Sequence, residues 1–132
     1  MKQLTAEVID LLNSQPLWYV GSFSDMPNTS IIGFKEVLED GHLLLCNVFM
    51  NHTLTNIKEN GKISITVCSP ETMQAYMLSG TAEYQTESEH LERWKAMAQE
   101  MTGGKLIPKG VVIVTPEAVR VLSANRKNGT EL

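Results

Sequence analysis

The chain has 132 residues, of which 42% are apolar and 20% are charged, and its formal net charge is −4 at pH 7. This length predicts one domain over residues 1–132, and the composition is far from that of a disordered segment. A negative net charge argues against a nucleic-acid partner. No apolar run is long enough to span a membrane, and the N-terminus is not typical of a signal peptide. We therefore expect a cytoplasmic protein with no membrane contact.

The first third of the chain predicts one helix and three strands. Apolar residues at helical spacing behind Thr5, a good N-cap, predict a helix over 4–14 that ends at Gln15-Pro16. Aromatic and β-branched residues then predict strands over 17–23, 29–38 and 42–47. The short reversal at residues 39–41 predicts that the last two strands form a hairpin.

The middle of the chain predicts a helix over 53–60, which Gly61 ends, and two strands. Residues 62–68 alternate between apolar and polar side chains, which is typical of a half-buried strand. Residues 73–85 predict a longer strand, and Gly80 within it indicates a bulge or a bend.

The last third predicts a helix over 88–101, opened by Thr86 with Glu89 in a capping box. A final strand over 110–122 should bend at Pro116, and the polar tail from Asn125 should fray. The total is six strands and three short helices, without regular βαβ alternation. We predict a mainly β, six-stranded antiparallel barrel with peripheral helices, because closure removes exposed edges from a small sheet.

The familiar catalytic and metal-binding motifs are absent, and the three histidines show no ligand spacing. Cys46 and Cys68 lie in strand-like surroundings and are predicted to be buried thiols, not a disulfide. We therefore assign no catalytic residue and no metal site from the sequence.

One segment, residues 47–56, runs from the end of a predicted strand into a helix N-terminus. Free backbone N–H groups and a partial positive charge make such a terminus a seat for a phosphate. Thr53 would add a hydroxyl group and His52 a possible cation. In the alternative interpretation, Asn51 or Thr53 merely caps the helix.

Short motifs also follow one another in a distinctive order: Leu17-Trp18-Tyr19-Val20, Met26-Pro27-Asn28-Thr29-Ser30, Phe34-Lys35, Leu38-Glu39-Asp40-Gly41-His42-Leu43, His52-Thr53, Asn56-Ile57, Asn60, Ile63-Ser64-Ile65-Thr66-Val67 and Tyr76-Met77-Leu78-Ser79-Gly80-Thr81-Ala82. This ordered set covers roughly residues 4 to 122. It resembles the pyridoxamine 5'-phosphate oxidase-like family of split barrels that bind flavin mononucleotide (FMN). The resemblance implies an FMN-binding split barrel, with the flavin held between the two subunits of a homodimer.

The resemblance also implies roles for individual residues. Ser30, Ile31 and Ile32 would lie along the isoalloxazine ring, with their backbone groups at its polar edge. Thr53 would bind the phosphate, and Asn56 would lie nearby.

Five further positions have a less defined role under the resemblance. His52 stands where the family usually has Lys or Arg. Lys35 would either approach the flavin or face water, and Phe49 would either wall the site or belong to the core. Tyr76 and Trp18 are candidate contacts from the partner subunit.

Three functions are compatible with these expectations. The first is an FMN-dependent oxidoreductase that passes electrons or hydride between a donor and an acceptor that the sequence does not identify. Its substrate would not be pyridoxamine phosphate, because the C-terminal substrate-binding pattern of the true oxidases is missing from residues 125–132. The second is a non-catalytic dimer that stores or senses flavin, or another planar ligand such as haem. The third is a barrel dimer with an empty site.

Overall fold

The computed structural model describes residues 1–132 and contains three helices and seven strands. In chain order these are α1 (Ala6–Ser14), β1 (Trp18–Phe23), β2 (Pro27–Ile32), β3 (Lys35–Val37), β4 (Leu43–Asn47), α2 (His52–Asn60), β5 (Lys62–Cys68), β6 (Ala75–Gln85), α3 (Glu89–Thr102) and β7 (Gly110–Val121). The strands form one antiparallel sheet in the order β2-β1-β5-β6-β7-β4-β3. This confirms the predicted mainly β, antiparallel split barrel with peripheral helices. None of the helices is both long and apolar enough to cross a membrane.

The sheet has seven strands instead of the predicted six because the segment predicted as one strand over 29–38 is divided. Ile32 at the end of β2 pairs with Trp18 of β1, whereas Lys35 at the start of β3 pairs with Leu45 of β4. The two residues between β2 and β3 therefore carry the chain from one edge of the sheet to the other. Local side-chain pattern could not show this, because both halves have the same strand-like character and only their partners differ.

Two apolar clusters hold the sheet and helices together. The larger one fills the barrel interior, where inward residues of β1, β4, β5, β6 and β7 meet the buried face of α1. The smaller one packs Leu91 and Trp94 of α3 against the outer side of β4 and β7, at Leu44, Cys46 and Val111. Strand β4 is buried along its whole length, because the barrel core covers one of its faces and α3 the other.

Several local predictions are confirmed and two are wrong. The register of β6 and β7 shifts between Ser79 and Gly80, as expected for a bulge, and a Cβ on Gly80 would overlap the backbone of Thr115. The N-cap of α3 is Ser88, whose hydroxyl accepts a hydrogen bond from the backbone N–H of His90, and not Thr86.

The C-terminal tail is ordered, in contrast to the predicted fraying. Strand β4 pairs only with Gly110–Val114 of β7 and leaves the rest of that edge open. The tail folds back onto it, with the Val121 N–H donating to the Thr130 carbonyl at 2.9 Å and the Leu132 N–H to the Val119 carbonyl at 3.0 Å. An open strand edge thus gives partners to a tail whose side chains alone predict no structure.

Candidate functional site

An open cleft of about 220 Å³ lies between β2 and the segment that joins β4 to α2. Eight of its ten lining residues are hydrophobic and none is charged. This volume is below the range of about 300–1,000 Å³ that is common for small-molecule sites. The main walls are Ser30, Ile31 and Ile32 on one side and Cys46, Val48 and Phe49 on the other.

The structure places four of the predicted site residues in this cleft: Ser30, Ile31, Ile32 and Phe49. Ile31 is 61% exposed and Phe49 is 75% exposed. Phe49 therefore walls the cleft and does not belong to the core. Two large apolar side chains that are open to solvent around an apolar cleft are typical of a surface that another molecule covers.

A cluster of five polar side chains lies behind the cleft, between β1, β2 and α2. The Thr53 hydroxyl, on a residue only 2% exposed, receives a hydrogen bond from Asn28 Nδ2 at 3.0 Å and lies 2.8 Å from the Ser30 hydroxyl. Asn28 Nδ2 also approaches the Ser22 hydroxyl at 3.3 Å, and Asn56 Nδ2 donates to the same hydroxyl at 3.1 Å. Thr53 and Asn56, both predicted site residues, thus lock α2 onto the two strands.

The N-terminus of α2 is uncapped. Asn51 makes no side-chain hydrogen bond to the first turn, and the Thr53 hydroxyl is engaged with β2, so the alternative in which either side chain caps the helix is wrong. The backbone N–H groups of His52, Thr53 and Leu54 have no acceptor within the protein. His52 is exposed and has no hydrogen-bond partner there either. This end of α2 therefore presents free donors and a partial positive charge.

The sequence model of the family described as "Pyridoxamine 5'-phosphate oxidase" matches residues 4–123. The chain belongs to the pyridoxamine 5'-phosphate oxidase-like family. The ordered motifs of the sequence predict this family, and the split barrel agrees with it.

Two relatives are more than 30% identical to this family member over the aligned residues. One is the Methanocaldococcus jannaschii protein MJ0282, which is 34% identical over 118 residues, or 85% of this chain and 76% of the relative. The other is the crystal structure of Group A Streptococcus HupZ, which is 31% identical with a TM-score of 0.80 and covers 96% of this chain and 100% of HupZ.

Two more distant structures share the fold. An FMN-binding protein from Syntrophomonas wolfei is 17% identical with a TM-score of 0.76, over 89% of this chain and 85% of that one. A heme binding protein from Mycobacterium smegmatis is 18% identical with a TM-score of 0.68, over 99% of this chain and 60% of that one. At these identities the likeness concerns the fold alone.

Lys35 of this family member does not line the cleft, and its side chain is half-buried. Its Nζ donates a hydrogen bond to the Gln15 carbonyl at 2.9 Å and lies 5.0 Å from the centre of the Trp18 ring. Burial lowers the pKa of Lys35, because the charged amine loses solvation there. Lys35 thus ties the C-terminal end of α1 to the barrel.

The two candidate partner contacts lie in the main core of this family member. Trp18 is 1% exposed, and its indole N–H donates to the Leu12 carbonyl at 3.0 Å. The ring of Tyr76 is buried, and its hydroxyl accepts from Gln74 Nε2 at 3.0 Å. Neither side chain offers a surface to a second subunit, because inward and outward positions alternate along a strand.

The sequence analysis predicts no site role for Asn28, Ser22 or Tyr19. Ser22 and Asn28 face each other across β1 and β2 and point inward, and Tyr19 lies on the outer face directly opposite Ile31. The alternation along β1 identifies Ser22, because this polar residue lies on the same inward side of the strand as Trp18 and Val20. The partners of Asn28 depend on strand register, which the sequence does not show.

Cys46 lines the cleft as a buried free thiol. Burial, with a smaller contribution from the charge of Glu36, raises the pKa of Cys46 to about 12. The thiolate is the reactive form of cysteine, so this side chain is an apolar wall and not a nucleophile near neutral pH. No group of three or more His, Cys, Asp or Glu side chains is placed to hold a metal ion.

Proposed function

We propose that the protein is an FMN-dependent oxidoreductase that works as a cytoplasmic homodimer. One observation carries the proposal: an uncharged apolar cleft lies directly beside a helix N-terminus with free N–H groups. FMN combines a flat ring system with a phosphate, and each part needs one of these two surfaces.

The apolar cleft fits the isoalloxazine ring. Ile31, Ile32 and Phe49 supply apolar walls, and no charged group has to lose its hydration when the ring enters. Strand β2 is at the edge of the sheet, so one row of its backbone N–H and C=O groups has no strand partner. Those groups would meet the polar edge of the ring.

The phosphate would bind at the start of α2. The backbone N–H groups of His52, Thr53 and Leu54 are free, and the His52 side chain would add a cation when protonated. The hydroxyls of Ser30 and Thr53 add one more donor: the pair has two protons, and only one can lie between the two oxygens. The other proton is left for an oxygen of the ligand.

A second copy of the chain would close the cleft. Ile31 and Tyr19 are directly opposite on β2 and β1, and Phe23 lies farther along the same outer face. All three side chains are exposed to solvent. Because Ile31 also lines the cleft, the surface proposed to pair with a second copy is continuous with the proposed flavin site. An obligate interface of this kind is large and apolar.

Bound FMN would supply the electron or hydride transfer, and the chain would supply binding, orientation and exclusion of water. This division of labour agrees with a cleft that contains no side chain suited to acid–base work. We propose that pyridoxamine phosphate is not the substrate, because no cationic side chain lines the cleft to hold a second phosphate. In the cytoplasm the thiols of Cys46 and Cys68 would remain reduced.

The same lack of acid–base groups favours a second candidate, a dimer that binds flavin or haem without turnover. The likeness in fold to a heme binding protein supports haem as the alternative ligand. The two candidates differ in ligand preference and in turnover, and both can be measured.

The test is a set of titrations of the purified protein with FMN, riboflavin and hemin, followed by sedimentation velocity of the loaded protein. We expect one FMN per subunit, tighter binding of FMN than of riboflavin by about tenfold or more, and a dimer. Reduction of the bound flavin by a reduced nicotinamide, and its reoxidation by an added acceptor, would support the oxidoreductase. Preference for hemin would favour the second candidate. Absence of FMN binding would refute FMN as the cofactor, and a stable FMN-loaded monomer would refute the homodimer.

A further inference from the structure

A chain of hydrogen bonds runs from β6 to the segment that joins β4 to α2. Asn47 Nδ2 donates to the Tyr84 hydroxyl at 2.9 Å, and Asn47 Oδ1 accepts from the backbone N–H of Met50 at 3.0 Å. Asn47 is only 6% exposed. We call Tyr84, Asn47 and Met50, with these two bonds, the brace.

The orientation of the Asn47 amide in the brace is determined by its partners. The Met50 N–H can only donate, so it must face the amide oxygen, and the amide nitrogen is then left for Tyr84. The backbone carbonyl of Asn47 also accepts from the backbone N–H of Lys109 at 2.8 Å, and Asn47 pairs with Gly110 of β7. Backbone and side chain are thus both held, which leaves the Met50 N–H with a fixed acceptor.

Tyr84 is itself held in place by two neighbours. A Cβ on Gly110 would overlap the Tyr84 ring, so the ring occupies space that only glycine leaves open. On the side of α2, Lys58 Nζ lies 5.3 Å from the centre of the same ring, within range of a cation–π contact. Tyr84 therefore contacts β7, α2 and, through Asn47, the segment between β4 and α2.

The braced segment carries one wall of the apolar cleft and leads directly into the start of α2. Val48, Phe49 and Met50 line the cleft, and the first free N–H group of α2 belongs to His52, two residues after Met50. Tyr84 does not line the cleft. Any effect that it has on the ligand must therefore act through the position of this segment.

We propose that Tyr84 is a positioning residue that sets FMN affinity, acting through Asn47 on the start of α2. The inference rests on the proposed function. Because the free N–H groups of α2 would contact only the phosphate, loss of the brace should weaken FMN more than riboflavin. A role limited to global stability would lower the affinities for both ligands equally or leave both unchanged.

The experiment compares Tyr84→Phe with Ser123→Ala in the full-length protein. Tyr84→Phe keeps the ring over Gly110 and removes only the hydroxyl. Ser123→Ala removes a buried hydroxyl that accepts from the Ala75 N–H at 3.0 Å, at the opposite end of β6. Loss of one hydrogen bond should weaken FMN binding by about three- to tenfold in Tyr84→Phe, with a smaller change for riboflavin. Ser123→Ala should leave both affinities unchanged.

Amide exchange gives a second readout that does not need the ligand. In the unliganded protein, the Met50 N–H should exchange faster in Tyr84→Phe than in wild type, and at the wild-type rate in Ser123→Ala. Gly110→Ala, which displaces the Tyr84 ring, should act in the same direction as Tyr84→Phe.

If wild type binds FMN, the inference would be overturned by unchanged FMN affinity in Tyr84→Phe or by equal losses for FMN and riboflavin. The proposed function would stand in either case. A wild-type protein that binds no FMN would refute the proposed function, and the positioning role with it. Unchanged Met50 exchange in Tyr84→Phe would show that the hydroxyl does not restrain the segment.

Discussion

The N-termini of α2 and α3 differ in whether the first backbone N–H groups of the helix have hydrogen-bond acceptors within the protein. At α3, the Ser88 hydroxyl accepts from the His90 N–H at 3.2 Å, and Glu89 and Glu92 place negative charge in the first turn. At α2, Asn51 provides no such bond and the first turn contains no acidic residue. One helix end is satisfied by its own residues, and the other is left open.

The location of an uncapped helix N-terminus in the fold determines which ligand its free N–H groups can bind. Unpaired N–H groups of a helix normally find a side chain or water. At α2 they lie next to the cleft, so a ligand with both a flat apolar part and an anionic part can satisfy the helix end and fill the cleft at once. Helix α3 has no such cleft at its start and instead covers the outer face of β4 and β7.

The largest expected effect is on FMN affinity, when a capping side chain is placed at the start of α2 as one is at the start of α3. In Asn51→Asp, a carboxylate would compete for the free N–H groups and repel the phosphate. We expect FMN affinity to fall by about tenfold or more, with little change for riboflavin. Fluorescence titration measures both ligands, and Ser88→Asp at α3 is the matched control that should leave both affinities unchanged. Equal FMN binding by Asn51→Asp and wild type would place the phosphate away from α2.

An intermediate effect concerns stability. Ser88→Ala should lower the free energy of unfolding by about 1 kcal/mol, because it removes a side-chain cap. Asn51→Ala should cost much less, because no capping bond is lost at α2. Urea denaturation of the ligand-free proteins measures both changes. A comparable loss in the two variants would mean that the two helix ends are not different in solution.

The smallest expected effect concerns the exposed His52. His52→Lys should tighten FMN binding by about threefold, because lysine carries a full positive charge near the phosphate and exposed ion pairs are weak. His52→Ala should weaken FMN binding slightly, and riboflavin should be unaffected in both variants. Fluorescence titrations of the three proteins with both ligands measure this. Identical FMN affinities in all three proteins would leave the phosphate to the backbone N–H groups and the Ser30–Thr53 pair.

Much of the fold could be predicted from local pattern. Helix α1 with Thr5 as its N-cap, the end of α2 at Gly61 and the bulge at Gly80 all follow from residues that lie within a few positions of one another. The division of residues 29–38 into two strands and the ordered tail did not follow, because each depends on which strand edge the segment meets.

The candidate site was predicted less completely than the fold. The family resemblance implies site roles for Ser30, Ile31 and Ile32 and leaves Phe49 open between the site and the core, and the structure places all four along one cleft. Trp18, a candidate partner contact under the resemblance, lies in the core, since its side of β1 faces inward. Side-chain type alone does not say which face of a strand is buried.

The sequence by itself determined the family, the antiparallel β architecture and the short segment from β4 into α2. These depend on motif order, on alternation along single strands and on turn residues, all of which are properties of neighbouring positions. Only the tertiary structure decided that Lys35 ties α1 to the barrel, that Asn28 holds Thr53, and that Tyr84 reaches Asn47 across 37 positions of the chain. The physical reason is that hydrogen bonds between side chains distant in sequence depend on register and barrel closure, which no local pattern encodes.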